Sequence, residues 1–183
     1  MRMRGFTLIE ILVALLVVAL GILGIAGLQV RAQQSALEAQ QRTQALMIVE
    51  DMVERMRSVG RSFAPCHAEA LGDNTLGAGN DDDYTCTWGG DLRHHVTTNL
   101  AEWDALLKGA AVQTEDDNDA GAMVGARGCI RYDDATEEYT VAVAWQGMLP
   151  TAVPDDECAT GAYGDDDRLR RVVSYRFRIA HLD

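Results

Sequence analysis

The residues of this chain able to do chemistry are few, and the first is a carboxylate in the wrong company. Glu10 stands in an apolar stretch and is followed by eighteen residues, Ile11 to Leu28, without one charge. An acid at mid-bilayer costs about 2.5 to 3.5 kcal/mol on insertion scales, so one kept in such a stretch signals a partner charge. The second group is four cysteines, Cys66, Cys86, Cys129 and Cys158. An even number in an exported domain implies two disulfides, and four cysteines allow three connectivities that sequence does not separate. We expect Cys66 with Cys86 and Cys129 with Cys158. Each pairing closes a loop of roughly 20 to 30 residues, worth about 3 to 4 kcal/mol on the chain-entropy model. A zinc site using His67, His94 or His95 is the rival, but there is no CxxC or HxxxH spacing, and His94, His95 and His181 read as surface residues.

Acidic runs at Asp81 to Asp83, Asp116 to Asp119, Asp155 to Glu157 and Asp165 to Asp167 offer oxygens for calcium. None has EF-hand spacing, and solvated loops are the simpler account. No GxSxG, HExxH or phosphate loop occurs, and Ser62, His67 and Asp73 are only near in sequence. We expect no enzyme, no metal and no cofactor.

The elements that position these residues begin with the apolar run. At about 1.5 Å per residue it nearly crosses a hydrocarbon core of roughly 30 Å. Arg2 and Arg4 favour a cytoplasmic N-terminus, with everything after Leu28 delivered outside, where cysteines pair. A removed secretory signal with Gly24-Ile25-Ala26 as its cleavage site competes, but Glu10 within the apolar core and helix formers beyond Gln29 oppose it. A plain anchor predicts the same orientation and leaves Glu10 unexplained. A buried soluble helix is usually shorter.

Gln29 to Val59 contains no proline, and Ala45, Val49, Met52, Met56 and Val59 form one apolar stripe. Asp51 with Arg55 and Glu54 with Arg57 read as a solvated face. From Phe6 to Val59 the helix would extend about 80 Å. Gly60 to Asp91 reads as loop-rich, and a short helix is expected over Asn99 to Lys108, then an acidic loop over Glu115 to Gly121. Cys129 to Tyr132 and Tyr139 to Trp145 form an antiparallel hairpin, with Tyr139, Val141, Val143 and Trp145 on one face and Thr140, Ala142 and Ala144 on the other. Val173, Tyr175, Phe177 and Ile179 mark a last strand. The expected fold is α+β, a long helix on a small antiparallel sheet. Side chains sum to a net charge of −12, which repels phosphate backbones, so nucleic acid is not an expected partner.

Gly5-Phe6-Thr7-Leu8-Ile9-Glu10 resembles the class III signal of type IV pilins and pseudopilins. The resemblance implies that a prepilin peptidase cuts after Gly5, that Phe6 becomes the N-methylated mature N-terminus, and that Glu10, fifth in the mature chain, meets the Phe6 amine of an adjacent subunit. Losing Arg2 and Arg4 would lower the basic count from 16 to 14 against 28 acidic residues, giving −14. Gln44 to Ser58, ending in Arg55-Met56-Arg57, and Val141 to Gly147 followed by Cys158 resemble the minor pilins of the type IV pilus modification protein PilV family. The likeness covers Gly5 to Ser58 and Cys129 to Ile179, not Arg61 to Gly128. It implies a pilin-like fold with leader 1–5, a transmembrane and assembly segment 6–28, an amphipathic half-helix 29–59 and a periplasmic, later extracellular, globular domain 60–183. It further implies a minor pilin in a tip or initiating complex, with other minor and major pilins as partners and with roles in pilus assembly, cell adhesion and twitching motility. Gly21, Gly24 and Gly27 stand near where major pilins often carry a proline, which separates this helix from their kink. Two alternatives remain, a minor pseudopilin of type II secretion, which shares the front motif, and a membrane-tethered periplasmic binding or adhesion module.

Overall fold

From Leu8 to Val59 the chain is one helix, α1. The computed structural model describes residues 5, 7–62, 64–72, 74–80, 86, 92–110 and 123–180. Arg2, Arg4, Phe6, Asp73, Asp81 to Asp83, Glu115 to Gly121 and His181 lie outside the described residues. The chain divides into two compact units, Met1–Ala39 and Gln40–Asp183.

In the first unit no described residue is buried, and large apolar side chains from Leu8 to Val30 lie open, with Leu8 78% and Leu28 70% exposed. An apolar surface of this length without a protein core calls for lipid or other helices. This part of α1 is long and apolar enough to cross a membrane, and none of its most apolar window is buried.

In the second unit the later turns of α1 bury Ala45, Val49, Met52, Val53 and Met56. Val53 joins the expected stripe, while Val59 is only half-buried. Helix α2 (Ala64–Leu71) and a two-residue strand β1 (Leu76–Gly77) occupy part of the segment expected to be loop. Composition hid both. Pro65 sits at the second residue of α2, where a missing N–H costs little, and β1 is too short to show alternation. Helix α3 runs Leu92–Lys108, seven residues longer at its start than expected, because Val96 extends the Leu100, Trp103, Leu107 stripe back by four.

Strands β2 (Arg127–Asp133), β3 (Glu138–Gln146) and β4 (Arg170–Phe177) complete an antiparallel sheet of order β1-β2-β3-β4. The hairpin turn forms because Asp133 accepts hydrogen bonds from the Ala135 N–H (3.0 Å) and the Thr136 hydroxyl (2.8 Å), with Glu137 at φ +54°. β4 ends at Phe177, two residues before the expected end.

The main core sets α1, α2 and α3 against one sheet face. Trp103 ties α3 to α1 by donating its indole N–H to the Ile48 carbonyl at 2.8 Å. Asp104 accepts the Gly77 N–H at 2.7 Å and so fixes β1 beneath α3. β3 does not alternate buried and exposed, since Val141 to Trp145 are all buried. Ala142 and Ala144 pack with Cys129 of β2 and are covered by Cys158, Ala159 and Tyr163 of the β3–β4 connection. Arg55 also departs from the solvated-face expectation. It bonds Asp51 at 2.6 Å and also reaches Glu102 of α3. Burial works against its charge, but the two carboxylates prevail and hold its pKa above the ordinary arginine value.

Candidate processing and assembly site

Thr7 starts the helix: its carbonyl accepts the backbone N–H of Glu10 at 3.1 Å and of Ile11 at 3.3 Å. Glu10 therefore lies in the first turn of α1, exposed, where the partial positive end of the helix favours a carboxylate. Gly5 is exposed, outside the helix and without any neighbouring atom within 4 Å of an added Cβ. Gly21, Gly24 and Gly27 lie within the unbroken helix and leave its surface low enough for close packing of another helix.

The cysteines are all in the second unit. Cys66 of α2 is joined to Cys86, with Cα atoms 5.5 Å apart, and Cys129 of β2 to Cys158 of the β3–β4 connection, with Cα atoms 5.8 Å apart. Oxidised sulfurs cannot serve as thiolate ligands. His67 is buried in α2, while His94 and His95 are exposed on α3. Among the described residues no group of three His, Cys, Asp or Glu side chains is placed to hold a metal.

Around the second disulfide lies a polar frame that no spacing or motif marks in advance. Asp156 accepts two bonds from Arg131, both 2.9 Å, and the backbone N–H of Cys158 at 2.9 Å. Its burial opposes ionisation, but these hydrogen bonds and the charge of Arg131 outweigh it and hold the carboxyl below its usual range. Arg170 is only 2% exposed and donates to the carbonyls of Asp156, Cys158 (3.0 Å) and Pro154 (3.2 Å). Asp167, 3.2 Å from it, accepts the Gly161 N–H at 2.9 and 3.0 Å. Asp156 and Asp167, each within an acidic run, are thus structural, while Asp155, Glu157, Asp165 and Asp166 are exposed.

At the other end of the sheet Tyr132, Tyr139 and Phe177 stack across three strands, with centroids 4.6 and 5.4 Å apart, and the Arg57 guanidinium lies 5.4 Å over Phe177. Burial pushes the Tyr139 hydroxyl up to about 12. Nothing in this arrangement forms a nucleophile with a base beside it.

Fold and motif together define a class. Residues 1–26 match the family model of the prokaryotic N-terminal methylation motif, and residues 27–106 match the Tt1218-like model, type IV pilin Tt1218. Over residues 1–106 the chain is thus similar to type IV pilins, with their N-terminal methylation motif at its front. No curated protein and no solved structure matches it. The class implies assembly with other pilins and processing by a prepilin peptidase, and it is a structural rather than an enzymatic one. The apolar helix and the motif fit anchoring in a membrane and then a place in a pilus.

Proposed function

We propose that the chain is a minor pilin of the type IV pilus, made as a precursor with leader 1–5, cut after Gly5, methylated on the Phe6 amine and built into a tip or initiating complex. Residues 6–28 hold it in the inner membrane and later in the filament, 29–59 carry the helix into the globular part, and 60–183 face the periplasm and then the cell exterior. The observation that carries this reading is Glu10, a lone exposed carboxylate in the first turn of a helix whose next eighteen residues are uncharged. A charge so placed is costly in lipid unless an opposite charge meets it, and the newly freed amine of a neighbouring Phe6 is such a charge. The minor-pilin assignment is supported by the PilV-like segments, which correspond to the buried turns of α1, the central strand β3 and the Cys158 disulfide.

Glu10→Gln is the test. Removing the charge lowers the cost of transfer into lipid, so membrane fractionation should be unchanged or improved, while co-purification with sheared surface filaments or with other pilins should fall at least about tenfold, the equivalent of one lost 1.4 kcal/mol interaction per subunit. Wild-type assembly of Glu10→Gln would remove the charge pair and favour a membrane-tethered module.

A further inference from the structure

β4 is an edge strand. Its inner side pairs with β3 from Phe177 opposite Tyr139 to Arg170 opposite Gln146, and among the described residues no backbone segment pairs with its outer side over 172–177. Beside that edge opens a groove of about 390 Å³, lined by Leu46, Val49 and Val53 of α1 with Glu50, Glu54 and Arg57 of the same helix, and by Ser174 and Tyr175 of β4. Leu46 is 49% and Tyr175 51% exposed, so the groove offers apolar side chains to solvent between Glu50 and the Glu54–Arg57 ion pair. An uncovered strand edge next to apolar surface is the arrangement to which extended segments add.

Charge selects among occupants. From Leu169 to Leu182 there are four arginines and no acidic residue, in a chain of net charge −12. Arg170 and Arg171 are engaged with the β3–β4 connection, whereas Arg176 and Arg178 are exposed. Opposed residues of a strand pair share a face, so a second copy pairing antiparallel along β4 would set Arg170 against Arg176, or in the adjacent register against Arg178, at both ends, and like charges opposite one another destabilise a strand pair. A foreign strand carries no such penalty. Successive side chains of an added strand face opposite sides of the sheet. One set would enter the groove lined by Leu46, Val49, Val53 and Tyr175, and the other would lie beside Ser174 and Arg176.

We propose that the β4 edge and its groove form a docking site for an extended segment of another protein, added as a fifth strand, with apolar side chains alternating with carboxylates. This stands on β4 and α1 alone and does not depend on the fate of Gly5 or Glu10.

The test uses the full chain in neutral detergent micelles and two capped eight-residue peptides, one alternating Val and Glu, the other Val and Lys. Peptide affinity is followed by fluorescence anisotropy, and the site is located by amide hydrogen exchange. The Val-Glu peptide should slow exchange within 172–177 and bind at least tenfold more tightly than the Val-Lys peptide. Arg176→Glu with Arg178→Glu should reverse that preference. Leu46→Asp, a change at a half-exposed side chain that leaves the core intact, should weaken the Val-Glu peptide several-fold. Equal binding of both peptides, protection confined to residues 8–39, no protection of β4 at millimolar peptide, or concentration-dependent protection of β4 without peptide would each overturn the proposal, the last in favour of a second copy.

Discussion

A Cβ on Gly128 would lie 2.4 Å from two ring carbons of Trp103 and 2.7 Å from a methyl of Leu107. Trp103 is fully buried and held by its bond to Ile48, so it cannot step aside, and overpacking of this kind costs about 1 to 3 kcal/mol. Gly128→Ala should lower Tm by about 2 to 12 °C, at 2 to 4 °C per kcal/mol for a chain of this size. An unchanged Tm in a scan of the two proteins would show that the ring does not press on the strand. Asp156 gives a prediction with a sign. Its pKa is held below the unfolded value near 4, so its contribution is present above that value and lost as pH falls through the folded one. With Arg131 partly open to water, the contribution is about 1 to 2 kcal/mol. Asp156→Asn should therefore lower Tm at pH 7, with the gap to wild type closing under strong acid. A gap of equal size at both pH values would assign the loss to shape rather than charge.

At the scale of elements, what was legible followed periodicity and what was hidden followed contact. The α1 stripe and the β2–β3 hairpin show in the sequence because repeated spacing puts apolar side chains on one face. α2 and β1 have too few residues for any period, and their places are set by α3 through Asp104 and by the disulfide at Cys66. β3 misleads for another reason: alanines at 142 and 144 look like a half-exposed face, yet a connection held by Cys158, Tyr163 and the buried Arg170 covers them. At the front of the chain the motif Gly5 to Glu10 could be read directly, since a carboxylate among apolar residues needs no fold to stand out. The bridge between β2 and the β3–β4 connection closes a loop of sequence separation 29, worth about 3 to 4 kcal/mol in the chain-entropy account. Replacing Cys129 and Cys158 together by Ala should lower stability by about that amount and raise amide exchange over 147–169. A variant whose connection stays as protected as wild type would mean that Arg170 and Tyr163 hold it unaided.

Over the whole molecule the two units answer to different solvents. The first unit exposes leucine, isoleucine and valine along α1 and buries none of its described residues. The second begins at Gln40, and its first buried side chain is Ala45, from which the core runs through Met56, Trp103, Val143 and Phe177. Both disulfides lie within it. Burial on folding is what stabilises a domain, and no described residue before Gln40 is buried. A chain starting at Gln40 should therefore fold as a water-soluble, oxidised monomer. Its first helical turns will fray, since a free helix end loses tertiary support, but Ala45 onward is packed. Its Tm should lie within about 5 °C of that of the full chain in micelles, a difference of roughly 1 to 2 kcal/mol, and thiol labelling of the unfolded, unreduced fragment should find no free sulfhydryl. Aggregation of the fragment, or a Tm lower by 15 °C or more, would show that the segment before Gln40 contributes to the globular fold as well as to the membrane.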